Sequence, residues 1–218
     1  MDEKKETSRV EAFSDGVFAI AITLLILDVT SAFSDASKLK LFELLCQQWT
    51  VLLAFLLSFA TIGIMWLNHH RLFALIVRVD HTLLVLNILL LLAATVVPFP
   101  TALLGRYGAD MVNGVDVKNN GTNFWLATIL YNGVFLFVAI VYNLLWRYAT
   151  HKRRLLSRDV DMEAVKRIDR QYLLGPLFYA IAFILAFFNS QLSLAVNILL
   201  AIFFLLPGIA LSTSQKPA

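Results

Sequence analysis

Six stretches of this chain carry enough apolar residues and few enough charges to cross a bilayer, and they leave little length for a water-soluble fold. They lie at about 11–32, 44–67, 82–104, 124–146, 173–189 and 191–212. Most are near the roughly 20 residues that a helix needs to span about 30 Å of hydrocarbon. Hydrophobic residues supply 59% of the 218 positions and charged ones 15%, outside the range of ordinary soluble domains. The expectation is an all-α integral membrane protein with one domain, residues 1–218, and six transmembrane helices. No segment alternates as membrane barrel strands do.

The basic residues orient such a bundle. Of the 18 Lys and Arg, only Lys38, Lys40, Arg106 and Lys118 fall on one side. The others flank the connections after the second and fourth spans and both termini, which predicts cytoplasmic ends and contact with anionic lipid headgroups. Nothing resembles a nucleic-acid module. The N-terminal leader mixes Asp2, Glu3 and Glu6 with Lys4 and Lys5 and lacks a small-residue cleavage site, so the first span reads as retained. Cys46, the single cysteine, can form no intramolecular disulfide and reads as a packing residue. Asn120-Gly-Thr122 fits a glycosylation acceptor in an outer loop from about 105 to 122, but so short a match carries no functional weight. The segment 148–171 reads either as an amphipathic interfacial helix or as a solvated linker. Pro98 and Pro100 predict a kinked or irregular end to the third span, while Pro176 and Pro207, near the ends of theirs, need no special account. Asn189, Ser190 and Gln191 alone separate the last two spans, which implies a tight helical hairpin.

The first span places ionisable residues at both margins of a short apolar core. Twelve residues separate Asp15 from Asp28, about 18 Å of helix. A lipid-facing helix would carry both carboxylates toward hydrocarbon, at up to about 3 kcal/mol each. The helix therefore prefers protein or water. With Gly16 at zero and about 100° per residue, Ile20, Thr23 and Leu27 fall within about 40° of it, with Ala19 and Leu24 as shoulders. Two readings stand. Around an oligomer axis the branched side chains would form rings that gate by dewetting, with a Thr ring offering hydroxyls to a cation. Alternatively, Gly16, Ala19 and Thr23 form an ordinary small-residue packing face.

Arg9 and Asp15 are six residues apart, about 240° around a helix, and cannot pair with each other. Partners for Arg9, Ser14 and Asp15 are expected from Trp66, Asn68, His69, His70 and Asp80, with His81 and Asn87 further on. Such a cluster would join the first three spans. Trp66 also fits an interfacial anchor. Adjacent histidines diverge by about 100° on a helix, which favours hydrogen bonding over metal ligation.

The pattern Arg9-xxx-Phe13-Ser14-Asp15 resembles the RxxxFSD signature of bacterial homologues of the endolysosomal transmembrane potassium channel. The resemblance continues through Trp66-Leu-Asn68-His69-His70-Arg71 to Asp80, Asn87 and Pro98-Phe-Pro100-Thr101, and covers the first three spans. It implies a six-span subunit of a homotetramer in the bacterial inner membrane, with the first helix lining a potassium pore that lacks the carbonyl filter loop of ordinary potassium channels. It further implies a constriction at Ile20, with Leu24 and Leu27 as hydrophobic rings and Thr23 as the polar ring. Arg9, Phe13, Ser14, Asp15, Trp66, Asn68, His69, His70 and Asp80 would form the bracing polar network. Thr23 and Leu24 differ by about 100°, so a modest rotation exchanges them. The resemblance implies no cofactor and no structural metal, potassium being only the permeant ion.

A proton-coupled transporter using Asp15, Asp28 and His69 or His70 is the alternative. No inverted repeat or matched pair of interrupted helices supports it. A non-conducting scaffold would bury the stripe internally. An enzyme lacks a nucleophile, base and orienter set.

Overall fold

A computed structural model of the chain describes residues 3–34, 40–114, 117–157, 160 and 162–205. It is helical almost throughout: α1 (Glu3–Ser34), α2 (Leu41–Gln47), α3 (Trp49–Phe73), α4 (His81–Val96), α5 (Pro98–Val112), α6 (Val117–Thr150), α7 (Met162–Phe188) and α8 (Ser190–Leu205). Four helical stretches are long and apolar enough to cross a membrane: Glu6–Ser34, Trp49–Phe73, His81–Val112 and Gly121–Arg153. Two shorter apolar helices are Tyr172–Phe188 and Ser190–Leu205. Residues 206–212 of the expected sixth span, Pro207 among them, and Lys38, Arg158 and Lys216 of the charge count lie outside the described residues.

The boundaries depart from the sequence reading where backbone chemistry intervenes. The second apolar run breaks at Gln48, so Cys46 sits exposed on the short α2 rather than in the following helix. Val97 separates α4 from α5, and Pro98 and Pro100 stand in the first turn of α5, where the missing N–H groups have no intrahelical partner to lose. The chain expected to form an outer loop at 105–122 is instead mostly helix, the end of α5 and the start of α6. Gly105 lets α5 lie close against α3, since a Cβ there would come 3.0 Å from the Val51 Cα.

Segment 148–171 is not one element: its first residues end α6, and from Met162 it is the start of α7, where buried Val165 stands beside exposed Lys166 and Asp169. Lys152 and Arg153 take positive φ of 52° and 54°, which ends the helical run after a single 3₁₀ turn. Leu155 and Leu156 then turn inward and are buried. Leu156 forms an antiparallel bridge with Ile76, where Val77 N–H donates to the Leu155 carbonyl at 2.9 Å. The α6–α7 connection is thereby fastened to the α3–α4 connection.

α7 begins well before the expected fifth span, so Pro176 lies inside the helix. The Tyr172 carbonyl loses its usual donor to proline, and the Asn143 amide of α6 donates to it at 2.6 Å. A lipid-embedded bundle needs such replacements, because hydrocarbon offers none. Asn189 alone separates α7 from α8, and its side chain caps α8 by accepting from Leu192 N–H at 2.9 Å. Asn132 and Asn197 join α6 to α8 at 2.8 Å, and Ser193 donates to the Ala182 carbonyl of α7 at 2.8 Å. A continuous apolar core, including Phe18, Leu25, Ile62, Leu83, Leu90, Tyr131 and Trp146, fills the space between these polar ties.

Candidate functional site: the braced first helix

One face of α1 is buried and the opposite face is bare. Ser14, Phe18, Ala21 and Leu25 are each at most 1% exposed. They recur at i, i+4, i+7 and i+11, one side of a helix, and pack toward α3 and α4. Ile20 is 59% exposed, Leu24 41% and Leu27 58%, and Gly16, Ala19 and Thr23 are exposed beside them. Among the described residues nothing covers the stripe of Gly16, Ile20, Thr23 and Leu27, so packing among them does not account for it. Thr30 and Ser34 continue the same spacing toward the far end. The sequence reading stopped at Leu27, although the i, i+3, i+7 pattern was there to extend.

Two adjacent residues of α1 hold it against two different helices. Asp15 Oδ1 accepts from Trp66 Nε1 of α3 at 2.8 Å, and Trp66 stacks on His70. Ser14 Oγ donates to the Val10 carbonyl at 2.8 Å and accepts from Asn87 Nδ2 of α4 at 3.0 Å. Asn87 Oδ1 in turn meets His69 Nε2 of α3 at 2.9 Å. His69 lies between Phe18, at 5.5 Å between ring centroids, and Phe73, at 4.3 Å. Ser14, His69 and Asn87 are all buried, so these bonds work where water cannot compete. Asn87, one of the partners that the sequence offers for Ser14, is the hub.

Four of the expected network residues stand apart from this cluster. Arg9 and Phe13 are exposed, and Arg9 has no ion pair among the described residues. At about 20° and 60° on the helical wheel they share the side of the bare stripe, not of the brace. Asn68, about 100° from His69, donates to the Ile64 carbonyl at 3.0 Å, and its own carbonyl accepts from the Tyr172 hydroxyl of α7 at 3.4 Å.

Asp80 belongs to a separate tie between α4 and α6. Its Oδ1 accepts from Leu83 N–H at 2.9 Å, capping α4. Its Oδ2 accepts from the Tyr148 hydroxyl and lies 3.5 Å from Arg154 Nε. Burial alone would push this carboxyl up, but the Tyr148 and Leu83 donors and the Arg154 charge together hold it below the usual carboxylate value. Among the described residues no cluster of three or more His, Cys, Asp or Glu side chains is placed to hold a metal.

Known proteins share this arrangement of helices. The family model described as endosomal/lysosomal potassium channel TMEM175 matches residues 9–98, which contain most of α1, the brace and α4. A potassium channel of Chamaesiphon minutus is 45% identical over 205 residues, covering 94% of this chain and 96% of that one. A potassium channel of Streptomyces collinus is 38% identical over 214 residues, covering 98% of each. The crystal structure of a lysosomal potassium-selective channel TMEM175 homolog from Chamaesiphon minutus superposes with a TM-score of 0.76 at 42% identity, over 94% of this chain and 100% of that one. These relatives are ion channels, not enzymes, and this chain is a multi-pass membrane protein.

Proposed function

Because the chain belongs to the family of the endosomal/lysosomal potassium channel TMEM175, we propose that it is a potassium-permeable cation channel whose pore runs along the axis of a homotetramer. The observation that carries this reading is the one-sided fastening of α1, with its apolar stripe left bare. Four copies facing a common axis would place Ile20, Leu24 and Leu27 as successive hydrophobic constrictions. Thr23 donates its hydroxyl proton to the Ile20 carbonyl at 2.9 Å, which leaves the exposed oxygen free to act as an acceptor. Such an acceptor suits a partly dehydrated cation. Thr30 and Ser34 are bonded inward in the same way, to the Leu27 and Ser31 carbonyls, and would line a polar vestibule.

The shorter apolar helices within α7 and α8 complete six spans in this reading. Both termini are cytoplasmic and the protein sits in the bacterial inner membrane, with lipid around the outer helices. Arg9, on the side of the stripe, stands at the inner mouth. Against the proton-coupled alternative, no hydrogen-bonded chain among the described residues runs from Asp15 or His69 to Asp28.

Reconstitution in liposomes tests the reading through reversal potentials in potassium and sodium gradients. The expected result is an uncoupled cation current that favours potassium. Absence of any such current, or flux that saturates and requires a proton gradient, overturns it. Ile20→Asn should raise conductance or relax selectivity, and unaltered currents would remove Ile20 from the constriction.

A further inference from the structure

We propose that a groove between α4 and α6 holds one anionic phospholipid, its phosphate on Arg147, His151 and Arg154 and an acyl chain along Leu86 and Leu144. The groove is lined by these five residues and Tyr148. Leu144, Arg147 and Tyr148, at i, i+3 and i+4, form one face of the end of α6, and His151 follows at i+7 in the 3₁₀ turn. Leu86 supplies the facing wall from α4, two turns from the Asp80 cap. The groove changes character along its length, from apolar floor to basic mouth. Leu86 and Leu144 belong to helices apolar enough to cross a bilayer, whereas Arg147, His151 and Arg154 cluster where α6 ends. That gradient matches a lipid lying with its head at the membrane surface, and it fits neither a free anion nor a wholly apolar ligand.

The charges select the headgroup. The side chains of Arg147 and His151 have no hydrogen-bond or ion-pair partner among the described residues, and both are exposed. Arg154 lies 5.2 Å from the Tyr148 ring centre and 3.5 Å from Asp80, with its side chain still 58% exposed. Two guanidinium groups against one carboxylate leave the mouth positive. Guanidinium forks fit phosphate oxygens in pairs, and an uncompensated positive mouth repels the ammonium of a zwitterionic lipid. Basic pockets between transmembrane helices recognise anionic headgroups in this way.

The test counts lipid retained by the purified full-length chain in native mass spectrometry after incubation with phosphatidylglycerol or phosphatidylcholine. The expected result is one phosphatidylglycerol per subunit, held at least about fivefold better than phosphatidylcholine, the worth of one basic residue near an anionic surface. Arg147→Gln should weaken retention about fivefold, and Arg147→Lys should keep it. Leu144→Trp fills the floor without touching the charges and should weaken retention as well. Glycerol 3-phosphate, which has the anion without the chains, should not displace the lipid, and Arg106→Gln at the other end of the bundle should have no effect. Subunit number, read in the same spectra, shows that each variant assembles. Equal retention of the two lipids, undiminished phosphatidylglycerol on Arg147→Gln or Leu144→Trp, loss on Arg147→Lys or Arg106→Gln, or displacement by glycerol phosphate would each overturn the proposal.

Discussion

Replacing Asn87 by Leu strikes the hub through which α1, α3 and α4 are joined. The leucine removes the bond to Ser14 Oγ and the bond to His69 Nε2. Interhelical hydrogen bonds in membrane proteins are worth about 0.6 kcal/mol on average and up to about 1.7. His69, 1% exposed, also loses its side-chain partner, and an orphaned buried polar group costs about 1–3 kcal/mol. The sum is about 3 kcal/mol, or about 6–12 °C in melting temperature for a chain of this size. Ser14→Ala removes only one of the two bonds and leaves His69 satisfied, so about 1 kcal/mol is expected. Both single variants delete the same Ser14–Asn87 contact, so the double variant should melt close to Asn87→Leu alone instead of at the sum. Melting followed by tryptophan fluorescence in detergent checks all three. An Asn87→Leu protein within about 1 °C of wild type, or full additivity in the double variant, refutes the account of the brace.

Other ties make their own predictions. Asn143→Leu should destabilise the wild type by about 1–3 kcal/mol but cost much less beside Pro176→Ala, which restores the N–H that the Tyr172 carbonyl lacks; equal costs in the two backgrounds would show that the amide is not replacing that donor. Phe18→Ala opens a cavity between α1 and His69 and should cost about 3–5 kcal/mol, read in the same melting assay. Asp80 has a folded pKa below its ordinary value of 3.8, so its stabilisation is fully present above that value and is lost as pH falls through the lower, folded one. The melting gap between wild type and Asp80→Asn should therefore be widest near neutral pH and close in acid, and a gap that widens in acid contradicts the assigned donors.

The sequence made some of this legible and hid the rest for physical reasons. Apolar runs announce helices because hydrocarbon leaves the backbone few alternatives, and the 100° rotation per residue already grouped Ile20, Thr23 and Leu27. Periodicity says which residues share a face but not what the face meets; the resemblance puts Arg9 and Phe13 in the brace, whereas both stand exposed on the side of Ile20. Proline was ambiguous in the same way. Pro98 marks the break at Val97 where a kinked or irregular end is expected but also opens a further helix, while Pro176 is interior and depends on Asn143, a residue 33 positions earlier. Leu155 and Leu156 looked like part of an amphipathic surface because their burial depends on a bridge to Ile76 that no local pattern encodes.

The clamp also bears on the side chains that α1 presents. Ser14 and Asp15 are neighbours about 100° apart on the helix, and they are gripped by α4 and α3 respectively. A single contact would let the helix roll about it, but two contacts at different azimuths fix its rotation. Thr23 and Leu24 lie about 100° apart, and any roll that exchanges them at the centre of the stripe has to move the gripped face as well. That roll would carry Ser14 Oγ away from Asn87, move Asp15 away from Trp66 and draw Phe18 from its place beside His69. The greasy contacts of Ala21 and Leu25 alone would tolerate slippage, since apolar packing is weakly directional. Hydrogen bonds require a narrow range of distance and angle, so the polar residues at one end of α1 set which apolar residues stand bare several turns away.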